Sequence, residues 1–461
     1  MINKDVSRLA GFPCGLARGP RRGPATTAAL CVLLAACAGD DGGTATAGTT
    51  STSGTTGETT TGGESTSSST GATTDASGTM SGGETAGTSG TSGTSGTSGT
   101  ESTGGVEPGC GDGIVDADEA CDDGNADDFD GCLSDCTEVE LLEPPAMEWK
   151  YFEIEGTKCL DGSTAGFGVN YNPDSTNVMI YLEGGGACFS DACDFTAFSI
   201  PFVPPSDGIF SRSNDNNPVR DWTMVYVPYC SGDIHGGDNE AELGGQTRYF
   251  HGYRNVTRYL EVLVPSFTAD RVLLTGISAG GFGSALNASQ VAEAYGDGVE
   301  LTVVDDSGPP LSNDVIAPCL QQIFRETWGL DKTVLAECPE CDGDNFASDL
   351  LDHVVANYPD VRFGLFSNTG DQIIRSYMGA GWGNGQHNNC EGLSVAVPIG
   401  AYADDLDALR AAHKDVISTF YLTGLGHTVL RVGYNITSVD GTSVPEWVGQ
   451  VLAGDITHVG P

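Results

Sequence analysis

The stretch RVLLTGISAGGFGSALNAS, residues 271–289, sets Gly276-Ile277-Ser278-Ala279-Gly280 where an apolar run gives way to small, helix-compatible residues. G-x-S-x-G at a strand-to-helix junction is the setting of a nucleophile elbow. The glycines permit a turn too tight for side chains, and the turn lifts Ser278 Oγ above a sheet. The Ala279 N–H then opens a helix where it can face a developing oxyanion. With 66 glycines in the chain, the same five residues could also be a plain tight turn. The partners of the serine decide between the two.

A serine nucleophile needs a base, and the base needs an orienting acid. Asp371 follows the run VRFGLFS, and His427 follows VISTFYLT. The order Ser, Asp, His is the one used by α/β hydrolases. An acid after a strand is also a common helix N-cap, and Asp404, Asp405 and Asp407 compete for the role. His387 and His413 compete with His427, but neither directly follows a strand. LEGGGACF, residues 182–189, ends an apolar run in Gly184, Gly185 and Gly186. Their unobstructed N–H groups suit an oxyanion loop, with Ala279 as a further donor.

These residues need a scaffold. NVMIYL (177–182), WTMVYVPY (222–229), RVLLTGI (271–277), ELTVVDD (300–306), VRFGLFS (361–367) and VISTFYLT (416–423) read as short strands bounded by turn residues. TRYFHGYRNVTRYLEVL and AYADDLDALRAAH between them read as helices. The alternation predicts an α/β-hydrolase-like, mostly parallel sheet with helices on both faces. A ligand then sits beyond the strand C-termini.

Four segments are expected. Residues 1–37 read as an export signal: Lys4, Arg8, Arg18, Arg21 and Arg22 precede AALCVLLAAC, an apolar run too short to span a bilayer. Its end, Leu34-Ala35-Ala36-Cys37, resembles a lipobox, with Cys37 the lipidated residue. An ordinary secretory signal is the alternative. Residues 38–108, nearly all Gly, Ser, Thr and Ala, read as a disordered tether. Residues 109–138 form a Cys-rich acidic module, with Cys110, Cys121, Cys132 and Cys136 fitting two disulfides. The module resembles short Cys-rich repeats of exported bacterial proteins. An EF-hand alignment would put Ala126 at the first ligand, so no metal is assigned. The fourth segment, 149–461, carries the candidate site.

Of 15 cysteines, Cys14 and Cys31 leave with the signal and Cys37 carries the lipid, so 12 remain. Eight lie in the main domain: Cys159, Cys188, Cys193, Cys230, Cys319, Cys338, Cys341 and Cys390. That allows up to four bridges, with pairing open. Cys338-Pro-Glu-Cys341 could be a redox or zinc pair, but no second CxxC accompanies it, and a structural disulfide is the expectation. The net charge of −43 excludes nucleic acid and anionic lipid as electrostatic partners.

Residues 149–435 resemble the pectin acetylesterases, a family that includes the Notum carboxylesterases. The resemblance rests on CLDGS (159–163), LEGGGAC, PYCSGD (228–233), GISAGG, DDSG (305–308), SxxxD ending at Asp371, and His427, in register. It implies a cofactor-free serine esterase with Ser278 as nucleophile, His427 as base and Asp371 as orienting acid. It also implies the bridges Cys188–Cys193 and Cys159–Cys230. Two departures stand out: Gly186-Ala187 replace an aromatic after the glycines, and a cysteine shortly before the histidine is absent.

The expected function is an exported, monomeric serine esterase removing O-acetyl groups from a polysaccharide such as pectin, touching the membrane only through its lipid. A carboxylesterase for longer acyl chains is the alternative. From another class, a catalytically silent glycan-binding protein would dock sugar on aromatics such as Tyr249, Tyr253, Trp328, Tyr377 and Trp382.

Overall fold

The computed structural model describes residues 109–191, 193–195 and 203–461. The expected signal, Cys37 and the expected tether lie outside the described residues.

Strands succeed one another as β1 (Trp149–Glu153), β2 (Gly166–Asn170), β3 (Asn177–Leu182), β4 (Gly186–Ala187), β5 (Asp194–Phe195), β6 (Thr223–Val227), β7 (Asn239–Leu243), β8 (Gln246–Phe250), β9 (Arg271–Ile277), β10 (Glu300–Asp306), β11 (Arg362–Asn368), β12 (Ile417–Leu422) and β13 (His458–Val459). Nine of them form one sheet in the order β1-β2-β6-β3-β9-β10-β11-β12-β13. Every pairing from β6 to β13 is parallel, and β2 is antiparallel to both its neighbours. The six expected runs are all here, side by side.

Why the sheet is buried on both faces is explained by period-two alternation. In β3, Val178, Ile180 and Leu182 join one core, while Met179 and Tyr181 join the other. Val272 and Leu274 of β9 face the first, and Leu273 the second. The first core is covered by helices Gly252–Ser266, Ala288–Tyr295, Pro318–Trp328 and Ile399–His413, and the second chiefly by helix Val444–Ala453 through Trp447, Val448 and Val451.

One expected helix starts late. TRYF (247–250) is not helical: it forms β8, hairpinned to β7, and the helix begins at Gly252. Gly244 and Gly245 both take positive φ (61° and 73°) and join Leu243 to Gln246, a two-residue turn that folds residues 246–250 back onto β7 as a strand.

Among the described residues there are six disulfides. Cys159–Cys230 and Cys188–Cys193 are the pairings the resemblance implies, and Cys338 bonds Cys341. Together they fit an exported protein, and among the described residues no helix is long and apolar enough to cross a membrane. In the Cys-rich module, bridged Cys110–Cys136 and Cys121–Cys132, carboxylates that face solvent also hold the backbone. Asp122 alone accepts the N–H groups of Gly111, Asp112, Gly113 and Gly124. The module leans on the main domain through Phe129, and the chain just beyond it donates the Leu142 N–H to Ser266 Oγ at 2.9 Å.

Cys319–Cys390 closes 71 residues and ties helix Pro318–Trp328 to the loop after Trp382. Loop-closure entropy for that length is about 4 kcal/mol. Replacing both cysteines with serine is therefore expected to lower the urea-unfolding free energy by about 2–4 kcal/mol. A loss under about 0.5 kcal/mol would mean the unfolded chain is held compact by other means.

Candidate active site

Parallel registry brings the strand ends together. Leu182 pairs Gly276, Ile277 pairs Asp306, Asp306 pairs Phe366, and Asn368 pairs Leu422. Beyond these ends lie the glycine loop, Ser278, Asp371 and His427.

Ser278 sits between β9 and helix Ala279–Leu286 with φ 56° and ψ −118°. That conformation belongs to the first central residue of a type II′ turn and suits glycine, so the serine is strained by about 1–3 kcal/mol. Its flanks are tight. A Cβ on Gly276 would stand 2.3 Å from the Gly280 carbonyl oxygen, and one on Gly280 would stand 2.0 Å from the Leu182 oxygen. A Cβ on Gly184 would meet Ser278 Cβ at 2.9 Å, so the glycine loop lies directly against the serine.

Asp371 and His427 meet. His427 Nδ1 donates to Asp371 Oδ2 at 2.7 Å, and the carboxylate is fully buried. The other oxygen, Oδ1, accepts the N–H groups of Ile373 and Ile374 at the start of helix Gln372–Met378. The two readings of this acid are thus compatible, with one oxygen available to each. His427 Nε2 is buried without a hydrogen-bond partner, which leaves the lone pair a general base needs. The competitors are engaged elsewhere: Asp405 accepts from Ser312, His413 lies 3.4 Å from Asp352, and His387 packs edge-on to Trp382.

The glycine loop is not uniform. Gly184 N–H donates to Glu183 Oε1 at 3.1 Å, so it is committed and the expected set of three narrows to Gly185 and Gly186. Gly186 takes φ 86°. These two and Ala279 remain the candidate oxyanion donors.

Glu183 is a residue that sequence reasoning misses. Its Oε2 accepts from Tyr226 Oη at 2.8 Å and pairs with Arg431 at 2.9 Å. Burial raises its carboxyl pKa, opposed by Arg431 and the Tyr226 hydroxyl. Arg431 also grips Asp207. His235 is a second such residue: its Nε2 donates to the Glu183 carbonyl at 2.9 Å, and burial pushes its pKa down to about 4, so it is neutral. The charged letter inside LEGGG and the histidine just after PYCSGD are the signals that could have found them.

Beside Ser278 opens a narrow cleft of about 30 Å³, walled by Phe189, Phe282, Phe324, Trp328, Tyr377 and Met378. Phe324 and Trp328 stack with centroids 4.4 Å apart, and Phe189 stands edge-on to Phe324. These rings supply a wall where Gly186-Ala187 have none. Trp328 is fully buried and donates to the Cys188 carbonyl, so it is no glycan platform.

Fold and site define a class: an α/β-hydrolase-like protein with a strained serine on the elbow after the middle strand and a hydrogen-bonded acid–histidine pair two and three strands beyond. Residues 150–345 match the pectinacetylesterase family model, and residues 98–137 match a domain of unknown function, DUF4215. The first match covers Ser278 and the glycine loop and stops short of Asp371 and His427. The chain is 32% identical to palmitoleoyl-protein carboxylesterase notum2 of Xenopus laevis over 168 residues, 32% of this chain and 34% of that protein. It is 29% identical to pectin acetylesterase 4 of Arabidopsis thaliana over 206 residues, 40% of this chain and 49% of that protein. With human NOTUM the identity is 31%, covering 29% of this chain and 30% of the relative. The chain thus spans between about a third and a half of the curated relatives it matches.

Proposed function

We propose that the protein is an exported serine carboxylesterase acting on O-acyl esters, foremost acetyl esters of a polysaccharide such as pectin. The observation that carries the proposal is the Asp371–His427 bond, which leaves Nε2 free at the same sheet edge as the strained Ser278. In the first step His427 Nε2 takes the Ser278 proton and Oγ attacks the ester carbonyl. The oxyanion is held by N–H groups of Gly185, Gly186 and Ala279. Collapse expels the sugar oxygen, which takes its proton from His427. Water, deprotonated by the same nitrogen, then attacks the acyl-enzyme and releases the acid.

A net charge of −43 repels polygalacturonate. A neutral acetylated glycan therefore suits the enzyme better than demethylated pectin. The Cys37 lipid and the residues 38–108 would hold it at a membrane surface.

A second reading, an esterase for longer acyl chains, is favoured by one observation. Behind the cleft lies an apolar pocket of about 50 Å³ that shares Ile234, Phe282, Phe324 and Met378 with it. Two of the relatives are named palmitoleoyl-protein carboxylesterases, which supports the same reading.

Hydrolysis of nitrophenyl acetate, butyrate and octanoate separates the two. Each buried methylene is worth about 0.8 kcal/mol. If the apolar space admits the chain, kcat/KM should climb by roughly fourfold per added methylene toward octanoate. If the shared walls, Phe282 and Met378 among them, keep the chain out, it should fall beyond butyrate, as the acetylesterase reading requires. No turnover on any of the three would sink both.

A further inference from the structure

The nucleophile and the base reach the site on separate loops, and something must fix one against the other. Asn368 Nδ2 donates to the His427 carbonyl at 3.1 Å, and Arg431 clamps the same loop to Glu183. Neither of these contacts touches Ser278. Asp306, the last residue of β10, does both jobs. Its carbonyl oxygen accepts the Ser278 N–H at 2.8 Å. Its side-chain Oδ2 accepts the N–H groups of Val429 and Leu430 at 2.7 and 2.8 Å, two and three residues after His427. The Ser307 hydroxyl lies 3.0 Å from Asp306 Oδ1 and 3.0 Å from the His427 carbonyl, and Ser307 is itself held at φ 69°.

We propose that Asp306 is the positioning residue that fixes the His427 loop against the Ser278 elbow. The inference rests on the esterase reading for its catalytic consequence. The neighbouring acid shows what is particular to Asp306. Asp305 points to the opposite sheet face, binds only the Gly308 N–H, and leaves Oδ2 without a partner. Burial raises both carboxyls; for Asp306, to about 6, the N–H groups of Leu430 and Val429 oppose the rise. Asp306 therefore carries its charge because the histidine loop supplies the donors, and the loop keeps its place because the charge is there.

The test compares the full chain with Asp306→Ala and Asp306→Asn. Three quantities are read: kcat and KM on nitrophenyl acetate, thermal unfolding, and the far-downfield proton resonance of the His427 Nδ1–H bound to Asp371. Alanine frees the loop, and displacement of the order of 1 Å costs about a hundredfold in rate, so kcat should fall by about that factor with KM within about threefold. Asparagine keeps a carbonyl for the two N–H groups but loses the charge that roughly doubles such bonds. It should lower kcat by about tenfold and leave the unfolding temperature no lower, since it also removes a buried charge. The downfield resonance should broaden or vanish with alanine and persist with asparagine.

Variants that fold and keep kcat within about threefold, with the resonance unmoved, would overturn the assignment; so would an asparagine variant as inactive as alanine. If the alanine variant fails to fold, asparagine decides by the same split between kcat and unfolding. Should the unmodified chain hydrolyse no ester, the esterase reading falls, and the resonance alone settles whether Asp306 places His427.

Discussion

Replacing Ser278 with alanine is expected to lower kcat on nitrophenyl acetate by about 10⁵–10⁶, the loss typical when the nucleophile of an acid–base–serine unit is removed. The remaining rate should still exceed that in water by about 10³, because the oxyanion donors and the cleft survive the change. A glycine at the same position makes the experiment more telling. At φ 56° and ψ −118° the serine occupies backbone space that glycine enters freely and alanine does not. Ser278→Gly should be as inactive as Ser278→Ala yet more stable, by about 1–2 kcal/mol at the unfolding midpoint. Loss of activity joined to a gain in stability is the signature of a residue kept strained for its chemistry. Either variant retaining activity within about tenfold of the unmodified protein would move the nucleophile elsewhere.

Such predictions are possible because much of the site is local in sequence. The elbow was legible because its requirements are steric: Gly276 and Gly280 face carbonyl oxygens at distances no Cβ tolerates. The parallel strands were legible because burial on both faces makes each an unbroken apolar run, such as NVMIYL. β1 and β2 were not. WKYFE is half-exposed and GFGVN is interrupted by two glycines; Gly166 is glycine because a Cβ there would stand 2.0 Å from the Phe152 oxygen, a fact of pairing that no periodicity reports.

The tethers around the site were illegible for a different reason. Glu183 and Arg431 are 248 residues apart, and Asp306 reaches Val429 across 123. Each looks like an ordinary charged residue until the sheet brings the ends of β3 and β10 and the loop after β12 to the same end of the sheet. The stacked pair Phe324 and Trp328 in the aromatic wall is likewise non-local. Sequence showed a missing aromatic at Gly186-Ala187, and the fold fills that side from a helix more than 130 residues away.

Asp371 offers the other large effect, because its two oxygens have separable tasks. Asparagine there keeps an oxygen for the Ile373 and Ile374 N–H groups and remains a good N-cap, so stability should hold within about 0.5 kcal/mol. Toward His427, however, it presents an NH₂ in place of Oδ2. His427 Nδ1 must then accept, Nε2 must carry the proton, and the nitrogen that should take the Ser278 proton is already filled. The expected fall in kcat is about 10⁴, with the wrong tautomer as its cause. Alanine removes both functions and should add a loss of about 0.5–2 kcal/mol in stability for the missing cap. The comparison therefore resolves one residue into a structural oxygen and a chemical one. If Asp371→Asn stayed within about tenfold of the unmodified enzyme, the hydrogen bond to His427 would be mere packing. The orienting acid would then have to be sought among the groups that reach the histidine once substrate binds.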